Sequence, residues 1–152
     1  MTALQDQHDA IDLTDNAIVT LGNLPLLKRL HTLLLANNRI SSISTSIHLS
    51  VPNLTTLILI NNNITEMGDL EPLKELKQLK YLSLMGNPVR EKKWYREWLA
   101  WRIPGLRVLD FQRIRDKVRP LTCTSLSFAL LKLDNLLGLP RVSRFVLAFS
   151  GA

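Results

Sequence analysis

Between residues 30 and 89 the chain runs repeatedly through one frame, Leu-x-x-Leu-x-Leu-x-x-Asn-x-(Ile/Val), and no other feature restricts its folding as much. Leu30, Leu33, Leu35, Asn38 and Ile40 fill the first complete copy. Leu54, Leu57, Leu59, Asn62 and Ile64 fill the second, and Leu79, Leu82, Leu84, Asn87 and Val89 the third. A degraded copy precedes them at His8, Ile11, Leu13, Asn16 and Ile18. A last copy at Leu106, Leu109, Phe111 and Ile114 keeps the leucine spacing but puts Ile where Asn belongs. Successive Asn positions lie 22, 24 and 25 residues apart.

That period and frame are those of a leucine-rich repeat. Leucines three and five residues into the frame fall on a short strand, and strand alternation sends both to one face. Stacked in parallel, these strands form a solenoid core that no repeat could bury alone. The Asn ladder (Asn16, Asn38, Asn62, Asn87) turns the chain inward and bonds the open backbone groups of neighbouring turns. The fold class is therefore α/β: a leucine-rich-repeat solenoid with short parallel strands on its concave face. Turns and short helices form the convex face, and a helical cap closes the C-terminal end.

The domain reading is a repeat domain over residues 1–120, its cap at about 90–114, followed by an atypical tail over 121–152. From Leu121 to Leu137 only Lys132 and Asp134 are charged. That stretch is either an apolar helix docked on the cap or sequence foreign to the fold. The single Cys123 excludes an internal disulfide framework and suits a reducing compartment. Met1 to Ala10 has no signal-peptide pattern, and no apolar run reaches the roughly 18 residues of a membrane helix. The acceptor-like triplets at Asn53 and Asn63 are then coincidental.

Charge is distributed unevenly. Residues 1–73 hold three basic and seven acidic side chains, whereas residues 74–120 hold thirteen and five. A basic end of this kind suggests a nearby polyanion.

On the convex side, Leu21 to Arg29 and Ile43 to Asn53 are short and contain Pro25 and Pro52, which predicts turns or single helical turns. Asp69 to Lys77 reads as more helical, with Asp69 as cap and Pro72 in the first turn. Glu91 to Trp101 reads as a helix in which Trp94, Trp98 and Trp101 share one stripe. A tryptophan face suits the cover of a solenoid's last leucines better than the stacking of nucleobases.

The strand residues between the core leucines point outward on the concave face. By repeat position they are Ala10, Asp12 and Thr14; Thr32, Leu34 and Ala36; Thr56, Ile58 and Ile60; Tyr81, Ser83 and Met85; Val108, Asp110 and Gln112. Leu34, Ala36, Ile58, Ile60 and Met85 make an apolar patch where water is expected, the mark of a protein contact. Five strands at about 4.8 Å give a trough roughly 20–24 Å long, the length of a helix of about 14 residues. A helix-in-groove partner follows, the alternative being cover by the chain's own tail.

No phosphate-binding glycine loop, His-Glu-x-x-His or cysteine pair occurs, and His8, His31 and His48 are scattered. Asp9, Asp12 and Asp15 do not have calcium-loop spacing. The chain is accordingly read as no enzyme, with no cofactor, metal or small-molecule substrate.

Residues 5–119 resemble the A-prime protein family of the U2 small nuclear ribonucleoprotein, a spliceosome component. The likeness is carried by Asp9-Ala-Ile-Asp-Leu-Thr-Asp-Asn16, Leu24-Pro-Leu-Leu-Lys-Arg-Leu30 and Gly68-Asp-Leu-Glu-Pro-Leu73. It continues through Gly86-Asn-Pro-Val89, Lys92-Lys93, Tyr95-Arg96 and Arg107-Val-Leu-Asp-Phe-Gln112. The resemblance implies a nuclear scaffold whose concave face grips a helix of the RNA-recognition-motif protein B-double-prime. The pair would jointly bind a stem-loop of U2 small nuclear RNA. On that analogy Leu34, Ala36, Ile58, Ile60, Tyr81 and Met85 are partner contacts. Arg90, Lys92, Lys93, Arg113 and Arg115 then lie near phosphate. Two departures accompany it. The match starts at the family's second repeat, so leucines of the first strand are expected to be exposed. The family's charged helical continuation is replaced by the apolar tail. A regulatory adaptor of phosphatase-regulator or ciliary type, without an RNA role, is the alternative reading.

Overall fold

Each strand of the repeat is only two or three residues long, so the sheet depends on what lies beneath it. The computed structural model describes residues 7–115; the tail over 121–152 lies outside the described residues. The concave sheet contains β1 (Ala10–Asp12), β3 (Thr32–Leu34), β5 (Thr56–Ile58), β6 (Tyr81–Ser83), β7 (Val108–Leu109) and β8 (Gln112–Arg113). They lie side by side in that order. The first five run parallel, in register Thr32–Thr56–Tyr81–Val108, and β8 turns back antiparallel to β7. A second, two-stranded parallel sheet pairs β2 (Thr20–Leu21) with β4 (Ser42–Ile43). The frame did not signal this pairing, although Leu21 and Ile43 at matching positions both become core residues.

Beneath the concave sheet the frame leucines close the core. Leu30, Leu33, Leu35, Leu54, Leu57, Leu59, Leu79, Leu82, Leu84, Leu106 and Leu109 are all buried. At about 1.5–3 kcal/mol for each fully buried leucine, this layer outweighs anything that strands of two or three residues supply by pairing. Ile11 and Leu13, on the first turn, are only half-buried and His8 is exposed.

The Asn residues tie turn to turn. The Asn62 side-chain amide donates to the carbonyls of Leu35, 2.9 Å away in the preceding repeat, and of Leu59 and Ile60 in its own. Its oxygen accepts from the backbone N–H of Ile40 at 3.0 Å. Asn38 and Asn87 make the same set, reaching Leu13 and Ile18, and Leu59 and Ile64. Asn16 differs: it is exposed, and its amide donates only to Leu13 and Thr14 in its own turn.

The convex side departs from expectation in detail. One helical turn, α1 (Ile47–Ser50), forms within Ile43–Asn53 as predicted. The next segment is a 3-10 helix, Met67–Glu75, that starts two residues before the expected cap. Glu66 is its N-cap, and Asp69 acts from inside, its carboxylate accepting from the Glu66 N–H at 3.2 Å. Pro72 then falls well inside the helix instead of in its first turn.

The cap helix is shorter than predicted. Pro88–Glu91 makes a 3-10 turn, and α2 is Tyr95–Arg102. Trp94 precedes α2 in a left-handed conformation, φ +65°, so the tryptophans do not form one helical stripe. Trp98 is buried, whereas Trp94 and Trp101 are 36% and 37% exposed. Tyr95, Trp98, Leu99 and Ile103 are the buried side chains of the cap.

The bonding pattern makes Asn62 and Asn16 unequal. Asn62→Ala strands the Ile40 N–H in the core, leaves the Leu35 carbonyl only its bond from Asn38, and is expected to cost roughly 1–3 kcal/mol. Asn16→Ala strands no cross-repeat group and should stay within about 1 kcal/mol. Urea unfolding of the two variants beside the parent chain checks the difference.

Candidate partner-binding face

Alternation along β3, β5 and β6 puts the residues between core leucines on the concave surface. Leu34, Ala36, Ile58, Ile60 and Met85 are all half-exposed there. Leu34 and Ile58 are register partners, so these apolar side chains adjoin across β3 and β5, with Asp12 and Ser83 at the next positions on either side. Tyr81, in register with Thr56, stands toward the far end of the trough, 46% exposed. Thr56, Ile58, Tyr81, Ser83, Val108 and Phe111 line a hollow of about 260 Å³ at that end.

Two of the expected outward residues are not outward. Ser83 is buried, its hydroxyl without a hydrogen-bond partner. Asp110 is buried as well, and Phe111, which the frame assigns to the core, is 69% exposed. The cause is an early turn, because Asp110 and Phe111 both have positive φ, 51° and 61°. In earlier repeats the N–H of the second strand leucine donates to the neighbouring strand's backbone, Leu35 to Ile58 and Leu59 to Ser83. At the last repeat the Leu84 N–H instead donates to the Asp110 carboxylate at 2.7 Å. The Asp110 side chain takes the place of its own backbone carbonyl, and the backbone reverses into β8.

Asp110 is the hub of the cap. Its second oxygen accepts from the Tyr95 hydroxyl at 3.1 Å and lies 3.6 Å from Arg90 Nε. Arg96 braces the same turn, donating to the Leu109 and Gln112 carbonyls. Burial first, and the Asp110 carboxylate next, hold the Tyr95 hydroxyl well above the ordinary tyrosine value of 10.0. Asp12, Leu34, Ile58 and Ser83 hold the matching position in the other repeats, so the sequence carries no distinct sign of this hub.

A second ladder runs along the rim. Asn61 donates to Asn37 at 2.8 Å, and Asn37 donates to Asp15 at 2.7 Å. All three have φ between 52° and 57°, a conformation that Asn and Asp adopt more readily than other side chains. Gly86 holds the matching position at φ +72°, where a β-carbon would sit 2.1 Å from Asn61 Oδ1. The recurrence of Asp, Asn, Asn, Gly one place before each ladder Asn was the available sequence signal.

The basic residues are not equally available. Arg90 faces Asp110, Lys92 Nζ is 2.7 Å from Glu66 Oε1, and Lys93 Nζ lies 5.4 Å from the Trp94 ring centre. Arg113 and Arg115 are exposed. Among the described residues, no cluster of His, Cys, Asp and Glu could hold a metal ion. No helix among them is long and apolar enough to cross a membrane.

The Tyr95 contact gives a pH signature. Its stabilisation is present in full below about pH 10, the unfolded value, and is lost as pH rises toward the higher folded value. Tyr95→Phe should cost about 1.5–3 kcal/mol at pH 8. The difference between the two proteins should shrink above pH 10, read from urea unfolding at pH 8, 10 and 11.

The sequence profile of the Leucine-rich repeat family matches residues 1–126. The U2 small nuclear ribonucleoprotein A' of Aspergillus fumigatus is 53% identical over 112 residues, 74% of this chain and 44% of that protein. That of Schizosaccharomyces pombe is 53% identical over 116 residues, 76% of this chain and 48% of that protein. The chain thus spans about half the length of these relatives. It is also similar to a chain in the crystal structure of the Drosophila melanogaster SNF/U2A' complex, with a TM-score of 0.79 and 46% identity. That likeness covers 84% of this chain and 76% of the other.

Proposed function

The chain belongs to the leucine-rich-repeat family of U2 small nuclear ribonucleoprotein A-prime proteins, and from that premise we propose that it is a non-catalytic, nuclear scaffold of the spliceosome. Its concave face receives a helix of an RNA-recognition-motif protein of the B-double-prime type, and the pair holds a stem-loop of U2 small nuclear RNA. The observation that carries this reading is the half-exposed apolar row of Leu34, Ile58 and their neighbours, in a chain similar to one solved in complex with SNF. The row removes apolar surface from water only when something lies in the trough. The partner thereby gains affinity without any change in the scaffold beneath, because the leucines that shape the sheet are already buried.

In this reading the C-terminal end lies beside the RNA. Lys92 and Arg90 already face Glu66 and Asp110, so Arg113 and Arg115 are the side chains that reach phosphate. Contacts of this kind act through counterion release and weaken with salt.

Calorimetry of the chain with the B-double-prime RNA-recognition motif, with and without the stem-loop, tests the scheme. Ile58→Asp should abolish partner binding while circular dichroism stays that of the parent. Retained affinity would rule the trough out. Arg113→Gln and Arg115→Gln should each reduce the slope of log K against log salt by roughly 0.7–0.9, with the heterodimer intact. Unchanged slopes would remove those arginines from the RNA contact.

A further inference from the structure

The rim of the trough on the side where the strands begin is built from one repeat position, occupied in turn by Asp9, His31, Thr55, Lys80 and Arg107. Their backbones form a ladder: the N–H of each of the last four donates to the carbonyl of the one before, at 2.8–2.9 Å. The rim therefore runs from an acidic residue, through two residues without a carboxylate or ammonium group, to two cations. At the β1 end Asp12 and Asp15 add negative charge on the sheet and the opposite rim, and at the far end Arg113 on β8 adds positive charge.

These end charges are open to a partner. Asp9 faces Arg29 at 3.2 Å, but among the described residues Asp12, Asp15, Lys80 and Arg107 take part in no ion pair. Four strand spacings of about 4.8 Å separate β1 from β7, roughly 19 Å. That is more than twice the screening length of about 8 Å at physiological salt, so each end acts on what lies next to it. The middle of the trough, from Leu34 to Ile58, is apolar.

We propose that the trough selects a charge-polarised occupant: an amphipathic helix that is basic at the end over β1 and acidic at the end over β6 and β7. This deepens the reading above and rests on it. A helix of even composition would match the apolar row equally well but would gain nothing at either end. One docked in reverse would set like charges together at both ends. The apolar stripe supplies affinity, and the end charges fix direction and hence which other surface of the partner faces the RNA.

The test titrates the B-double-prime RNA-recognition motif into the full chain and into Ile58→Asp, Asp12→Lys and Arg107→Glu, at 50 mM and 500 mM salt. Asp12→Asn and Arg107→Gln serve as milder variants, and urea midpoints establish that each is folded. The expected result is loss of binding for Ile58→Asp and weakening of about tenfold for each charge reversal at low salt, with smaller losses for the neutral variants. At high salt the charge variants should converge on the parent. If Ile58→Asp abolishes binding while both reversals stay within about twofold of the parent at low salt, polarity is overturned and the scaffold reading stands. Full affinity in all variants, or no binding by the parent, overturns both. Self-association of the parent that Ile58→Asp removes, without partner binding, would assign the trough to a second copy and overturn the proposal too.

Discussion

The repeat array depends on one bonding problem: each inner coil of the solenoid leaves the strand into a turn whose backbone groups point into the core. The ladder amides solve it with one residue type, because a carboxamide offers donors and an acceptor from the same short side chain. Asn62 takes carbonyls from two repeats and an N–H from a third position, so it joins neighbouring coils as well as closing its own. Leucine burial supplies the driving force, but without these amides the same leucines would have to sit beside unbonded peptide groups. The concave face inherits its regular spacing from that arrangement.

That regularity is what allows a flat row of side chains to act as a single surface. Leu34 and Ile58 meet because their strands are held in register, and Asp9, His31, Thr55, Lys80 and Arg107 line up because their backbones bond in sequence. The side chain at one position of the frame can differ from repeat to repeat while the layer beneath stays leucine. Apolar and charged side chains thus occupy separate rows of the same scaffold.

Much of this was legible in the chain. The frame gave the strands, the core leucines and the apolar row, since periodicity and alternation act locally and repeat several times over. What escaped was the end. Phe111 occupies a leucine position and Asp110 an outward one, yet the backbone turns at both, exposing the first and burying the second. That exchange is decided by contacts with Leu84, Tyr95 and Arg96, which are distant in sequence. The tryptophans misled for a related reason: Trp94, Trp98 and Trp101 have helical spacing, but a left-handed residue at Trp94 starts the helix later. Ser83 shows the opposite limit, since alternation places it outward and its neighbours cover it.

The Asp110 turn has a bearing on how such a molecule can change length. Within the repeat array its carboxylate bonds the open N–H of the last full strand, and Arg96 and Tyr95 hold the turn from the cap itself. Nothing in that arrangement records how many coils came before. A coil duplicated or lost upstream would present the same open group to the same acid, so the stop travels as a module. The array is then free to vary in number, and with it the span of its trough, without a new ending having to evolve each time.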